Sequence, residues 1–107
     1  MTNFISTGST YWISDEEIQI FEKNATNGDK NSAFKLYQYH MFVSLDQDSE
    51  FKWLEIAAKN GHPIAPSNLA DLFFTQGNKE KAIFWAKKAY RNGAKLPDEL
   101  KILININ

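Results

Sequence analysis

An element that recurs after 32 residues limits this chain to a small group of helical architectures. Trp53 and Trp85 are each followed by an alanine four residues later and by an Asn-Gly pair at the seventh and eighth residues. Thirty-two residues before Trp53 stands Phe21, which is also followed by an alanine after four residues, although its Asn27-Gly28 pair comes one residue early. Three copies of one element are therefore visible in 107 residues.

Each copy has the pattern of an amphipathic helix. The second copy has the i, i+3, i+4 and i+7 spacing of one helical face at Trp53, Ile56, Ala57 and Asn60. The Asn-Gly pair predicts the end of the helix, because both residues accept the left-handed backbone that terminates helices.

Residues that favour helix N-termini mark the starts of the copies. Ser14 and Glu17 form a capping-box sequence, in which each side chain bonds to the other residue's backbone. Asp48 and Asn78 stand where they can cap the second and third copies. A last short helix is expected from Pro97 to about Ile104, since proline is favoured in a first helical turn.

Two further helices are expected between the copies, at about 31–43 and 64–75, where apolar side chains recur every four residues. The predicted fold is therefore all-α: a short right-handed α-α solenoid of about two and a half antiparallel helix pairs with capping segments. Small residues should mark the helix crossings, at Ala25, Ala33, Ala57, Ala65 and Ala89. Trp53 and Trp85 should fill the space between helix pairs.

The repeat domain is predicted to cover residues 15–107, with residues 1–14 as an N-terminal cap or a disordered segment. A solenoid must seal its ends, because each repeat buries its core only against its neighbours. The residues expected to seal the C-terminal end are Leu96, Leu100 and Leu103. Tyr11, Trp12 and Ile13 are candidates for the other end, and Tyr11 and Trp12 could instead form an exposed recognition tip.

The chain resembles the Sel-like repeats, which are relatives of the tetratricopeptide repeats, over about residues 20–95. The matching residues are Ala65, Leu69, Phe73, Gly77, Lys81, Ala82, Trp85, Lys88, Ala89, Asn92 and Gly93. The preceding repeat departs from the pattern, with Glu50 where Ala82 stands and Leu45 where Gly77 stands. The resemblance implies a non-catalytic scaffold or adaptor that binds proteins.

The composition offers little for catalysis or metal binding. The chain has no cysteine, and its two histidines, His40 and His62, lack the spacing of a zinc site. His40 is expected to be a packing residue, and His62 to be part of a turn. We therefore expect no enzymatic activity, no cofactor and no metal. No secretory signal or membrane span is visible, which predicts a cytoplasmic protein.

The net charge of −1 is unevenly divided along the chain. Residues 1–53 hold eight acids and four bases, a net charge of −4, whereas residues 54–107 hold five acids and eight bases, a net charge of +3. The basic residues from Lys87 to Lys95 could form a nucleic-acid patch. Cations near a helix C-terminus also complement its dipole, and this explanation is favoured over a nucleic-acid partner.

In tetratricopeptide-like stacks, the first helix of each pair lines the concave face, so its outward residues are candidates for partner binding. These candidates form two columns whose members are 32 residues apart: Lys35, Tyr39 and Phe42, then Ser67, Asp71 and Phe74. Their mixture of aromatic and charged side chains is typical of binding hot spots. Phe42 and Phe74 could alternatively be core residues at the ends of the helix pairs.

Two functions follow from these observations. The first is a module that binds one protein partner, with an immunity or antitoxin-type inhibitor of a bacterial toxin as its specific form. The second is a self-assembling structural unit, in which the oppositely charged ends favour head-to-tail contact and a homo-oligomer.

Overall fold

The computed structural model describes residues 10–105. Their helices are α1 Asp15–Thr26, α2 Lys30–Phe42, α3 Gln47–Lys59, α4 Ala65–Thr75, α5 Lys79–Arg91 and α6 Asp98–Leu103. Thr10 and Tyr11 are also helical, and no β-strand occurs in the described range. The all-α prediction is confirmed, with helix bounds close to those expected.

Two of the three predicted helix starts are confirmed. The Ser14 hydroxyl accepts a hydrogen bond from the Glu17 backbone N–H at 3.2 Å, and the Ser14 N–H donates to the Glu17 carboxylate at 3.2 Å. Asn78 caps α5 by accepting from the backbone N–H of Lys81 at 3.2 Å. These bonds satisfy donors that a helix leaves without an internal partner.

The prediction that Asp48 caps α3 is wrong. The helix begins at Gln47, so Asp48 already lies in its first turn and the capping residue is Asp46. Asp46 accepts hydrogen bonds from Ser49, through the backbone N–H at 3.3 Å and the hydroxyl at 2.8 Å. A serine three residues on makes this cap bidentate, which fixes the start of the helix earlier.

The helix ends follow the Asn-Gly signals. Asn27, Asn60 and Asn92 are the C-terminal capping residues of α1, α3 and α5, and the glycine after each has a positive φ. At the last helix, Pro97 is the N-terminal cap and lies just outside the first turn, because its backbone is extended.

The core is a continuous column between successive helices. Each helix packs against the next along the chain, and α1 also contacts α3. Four leucines are fully buried: Leu36, Leu54, Leu69 and Leu100. Trp53, Trp85 and the five predicted crossing alanines are also buried, which confirms them as core residues. The described chain is 50 Å long and 33 by 24 Å across.

The burial pattern corrects the register of the first helices. The buried residues of α2 are Ser32, Ala33, Leu36 and Tyr37, and buried residues of α4 follow each of them after 33 positions, at Ala65, Pro66, Leu69 and Ala70. The offset between α1 and α3 is also 33, because their capping residues are Asn27 and Asn60. Between α3 and α5 the offset is 32, as predicted.

The extra residue lies in the connection between α2 and α3. Three residues separate Phe42 from the cap Asp46, whereas two separate Thr75 from the cap Asn78. The pairing of the candidate columns at 32 residues is therefore wrong, since the structural counterpart of Lys35 is Asn68.

In the described residues, no helix has the length and apolar character that crossing a membrane requires.

Candidate functional site

An aromatic cluster lies at the N-terminal end of the stack. The rings of Tyr11 and Phe42 are stacked, with centroids 4.5 Å apart and an interplanar angle of 23°. Ile13 is buried, which anchors this segment, whereas Trp12 leaves 61% of its surface exposed. We call Tyr11, Trp12, Tyr39, Phe42 and Leu45 the N-terminal aromatic surface. Ile13 thus seals this end as predicted, and Trp12 does not.

His40 supports this surface from behind. Its Nδ1 lies 2.7 Å from the Ser44 hydroxyl, and its ring meets the edge of the Tyr39 ring at 5.0 Å. Burial lowers the pKa of His40, against the raising effect of the Asp46 and Glu22 carboxylates. His40 therefore packs in the fold and ties the α2–α3 connection to α2, while acidic groups border the surface.

Leu45 is held in an unusual backbone conformation at the edge of this surface. Its φ is 56°, and 76% of its side chain is exposed. Gly77 occupies the same position in the α4–α5 connection, directly before the capping residue, with a φ of 82°. An exposed leucine in the left-handed region is unusual, since such strain tends to persist at functional sites.

The first candidate column lies at the N-terminal end. The Lys35 ammonium is 5.9 Å from the centre of the Phe21 ring on α1, which is a cation–π contact. Tyr39 is half-buried beside His40, and Phe42 stacks on Tyr11. Both proposed roles of Phe42 are therefore partly met, since it packs at the end of the helix pair and remains partly exposed.

The second candidate column is divided between two regions. Asp71 lies near Tyr37 of α2, whose hydroxyl accepts a hydrogen bond from the Asn68 amide at 3.4 Å. Burial raises the pKa of Tyr37, with further raising effects from Glu50 and Asp71. The Ser67 hydroxyl donates to the carbonyl of Ile64 in its own turn, at 3.0 Å. Ser67 and Asp71 thus lie on the α2-facing side of α4, away from Tyr11 and Phe42.

Phe74 lines a groove at the C-terminal end, which we call the C-terminal groove. It has a volume of about 350 Å³ and is lined by Phe74, Lys79, Glu99, Ile102 and Leu103. Leu96 and Leu100 are buried, which confirms them as seals, whereas Leu103 borders the groove. Ile102 was missed by the sequence analysis. The available signal was its position off the Leu96, Leu100 and Leu103 stripe, which predicts an exposed apolar residue.

A stacked pair of rings joins α2 to the α3–α4 turn and was also missed. Phe34 and His62 lie 3.9 Å apart at an angle of 8°. The Nδ1 of His62 accepts a hydrogen bond from the Ile64 backbone N–H at 3.2 Å, so the neutral ring is the form that the turn requires. Burial lowers the pKa of His62, and Lys30 lowers it further. His62 is part of the turn, as predicted.

The described residues hold no group of three or more histidine, cysteine, aspartate or glutamate side chains that could bind a metal ion. The two ends of the stack are therefore the surfaces with distinctive chemistry. Both present apolar side chains bordered by charges, an arrangement suited to contact with another macromolecule.

Comparison with known proteins adds a relative but no activity. The uncharacterized protein YibG of Escherichia coli strain K12 is 32% identical over 95 residues. The matched region covers 82% of this chain and 62% of YibG, so the chain spans less than two thirds of that relative. No family model and no solved structure matches the chain. The resemblance to Sel-like repeats therefore stays a prediction.

Proposed function

We propose that this chain is a non-enzymatic protein-binding module, built as a short right-handed α-α solenoid of the Sel-like type. The recurrence of one burial pattern supports the solenoid, because equivalent residues of α2 and α4 face equivalent neighbours. So does packing between successive helices, which is how repeat proteins build their cores.

The N-terminal aromatic surface is the observation that carries the binding proposal. Trp12 is mostly exposed beside the Tyr11–Phe42 stack, and Leu45 projects from a strained connection. Large aromatic anchors contribute most of the binding energy at protein interfaces. A folded chain gains nothing in stability from exposing such side chains, so a partner that covers them is a physical reason for their presence.

The charges near this surface indicate the kind of partner. Glu22 and Asp46 lie close to His40, directly behind Tyr39. A partner with an apolar centre and a basic rim would complement this border, and opposite charges would speed its association. We propose one protein partner, in the form of a bacterial toxin or a similar enzyme that this chain inhibits by binding. The small size supports this form, since about 100 residues present few separate surfaces.

The experiment is capture of partners from the source cells on the immobilised full chain, followed by affinity measurement with the purified partner. We expect one dominant protein at one-to-one stoichiometry. The double substitution Tyr39→Ala and Phe42→Ala should weaken its binding by more than about tenfold, the effect typical of hot-spot residues. Phe84→Ala is the matched control, because Phe84 is an exposed aromatic residue on α5.

Two results would count against the proposal. Unchanged affinity in the folded double variant would place the partner elsewhere on the molecule. Failure to capture any protein other than the chain itself would remove the partner-binding function. If the partner is an enzyme, loss of its activity on binding would distinguish an inhibitor from an adaptor.

A further inference from the structure

The C-terminal end has the first helix of a pair without its second helix. We call α2, α4 and α6 the A helices and α1, α3 and α5 the B helices. Pro97 and the fully buried Leu100 repeat the arrangement of Pro66 and the fully buried Leu69, so α6 takes the position of an A helix. α2 and α4 are each followed by a B helix that packs on them, but within residues 10–105 no helix follows α6.

This arrangement leaves apolar surface open. α6 has six residues, whereas α4 has eleven, so α6 is too short to cover the end of α4. Phe74 of α4 therefore borders the C-terminal groove together with Leu103 and Ile102, and Ile102 is 72% exposed.

The N-terminal end has the converse arrangement. α1 is a B helix whose residues align with those of α3 at an offset of 33, as the matching turns show: Asp29 N–H donates to Asn24, and His62 N–H donates to Ala57. At this offset Ile20 is the counterpart of Trp53. Trp53 is buried against the rest of its helix pair, whereas Ile20 is 57% exposed.

The charges of the two ends are complementary. The first turn of α1 carries Asp15, Glu16 and Glu17, and the net charge of residues 1–53 is −4. The C-terminal groove contains Lys79, and the net charge of residues 54–107 is +3. An unpaired B helix with an acidic start and an unpaired A helix in a basic half of the chain would complete one helix pair.

We infer that the chain associates head to tail with a second copy of itself, with the Ile20 face of α1 packed against α6 and the C-terminal groove. This contact goes beyond the proposed partner site and uses different residues. The two surfaces differ, so the interface is heterologous and each copy retains one free end. The assembly therefore lengthens with concentration, and salt weakens it because opposite charges are brought together.

The test is analytical ultracentrifugation of the full chain over a range of concentrations. The wild-type protein should show a rising average mass, reduced at high salt. Ile20→Glu and Ile102→Glu should each weaken association by about tenfold or more, because each removes a buried aliphatic contact and introduces a charge that must be desolvated. Both side chains are exposed in the single chain, so the variants should keep their helical circular dichroism.

Mixing the two variants gives the sharpest result. Ile20→Glu retains an intact C-terminal groove and Ile102→Glu retains an intact α1 face, so an equimolar mixture should form dimers and no longer species. Ile64→Glu is the control, since Ile64 is an exposed aliphatic residue in the α3–α4 turn and should leave assembly unchanged. A monomeric wild type at all concentrations would overturn the inference. So would full association of either variant alone, or a mixture that stays monomeric.

Discussion

Replacing Leu45 with glycine should stabilise the protein. A non-glycine residue in the left-handed region costs about 1–2 kcal/mol, and Leu45 has a φ of 56°. Glycine removes this cost but gives the unfolded chain more freedom, which offsets about 0.5–1 kcal/mol. The side chain is largely exposed, so its loss removes little buried area. The expected net gain is about 0.5–1 kcal/mol in the free energy of unfolding.

Two further variants isolate the backbone effect. Leu45→Ala keeps the Cβ atom and hence the strain, so its stability should stay near that of the wild type. Gly77→Ala is the reciprocal change at the equivalent position, where φ is 82° and an added Cβ would meet open space. It should destabilise the protein by about 1 kcal/mol, through the backbone alone.

The assay is equilibrium unfolding in urea, supported by thermal unfolding. For a domain of this size, a change of 1 kcal/mol shifts the Tm by roughly 4–8 °C, which is readily measured. If Leu45→Gly is no more stable than Leu45→Ala, the left-handed conformation is not the source of strain and the reasoning is refuted.

Three other changes have defined outcomes. Trp53→Ala should lower the free energy of unfolding by about 3–5 kcal/mol in urea, whereas a loss under 1 kcal/mol would contradict its role as a core wedge. His62 has a folded pKa below its ordinary 6.5, so its contribution is complete above pH 6.5 and declines as the pH falls below that value; His62→Gln should therefore flatten the stability profile between pH 7 and 5 (about the range in which histidine titrates), and an unchanged profile would exclude His62 as the cause. Hydrogen bonds from Ser32 lower the pKa of Asp29, so this cap stabilises the fold above the ordinary 3.8 and is lost as the pH falls through the folded value; Asp29→Asn should reduce the acid sensitivity of Tm, and equal sensitivity would refute it.

The helices were predictable because their signals are local. The Asn-Gly stops, the Ser14 capping box and the spacing of alanines each depend on a few neighbouring residues. The Asp48 error arose because two aspartates compete for one cap, and the bidentate bond to Ser49 decides in favour of Asp46.

The register of the first helices was not predictable from the tryptophans alone. Phe21 is aligned with Trp53 by residue type, but burial aligns Leu54 with Phe21 and Trp53 with Ile20. One additional residue in the α2–α3 connection separates the two alignments, and an insertion in a loop leaves no mark on helical periodicity.

The candidate surfaces were only partly predictable for a similar reason. Phe42 and Tyr39 were identified from helical spacing, whereas the stacking of Tyr11 on Phe42 joins residues 31 positions apart. Ile102 and Lys79 meet at one groove only because α6 ends early. Contacts of this kind depend on helix length and on how the ends of the stack pack.

Packing between successive helices has a consequence for how the molecule folds and opens. Because most contacts join elements adjacent in sequence, little chain entropy is lost in closing loops, and such topologies fold rapidly. Stability in repeat proteins is the sum of each unit and its interfaces with its neighbours. α3 and α4 have such interfaces on both sides, so their amide hydrogens should exchange with solvent most slowly, while α1 and α6 open first. A second copy bound at either end would extend that protection to the terminal helix.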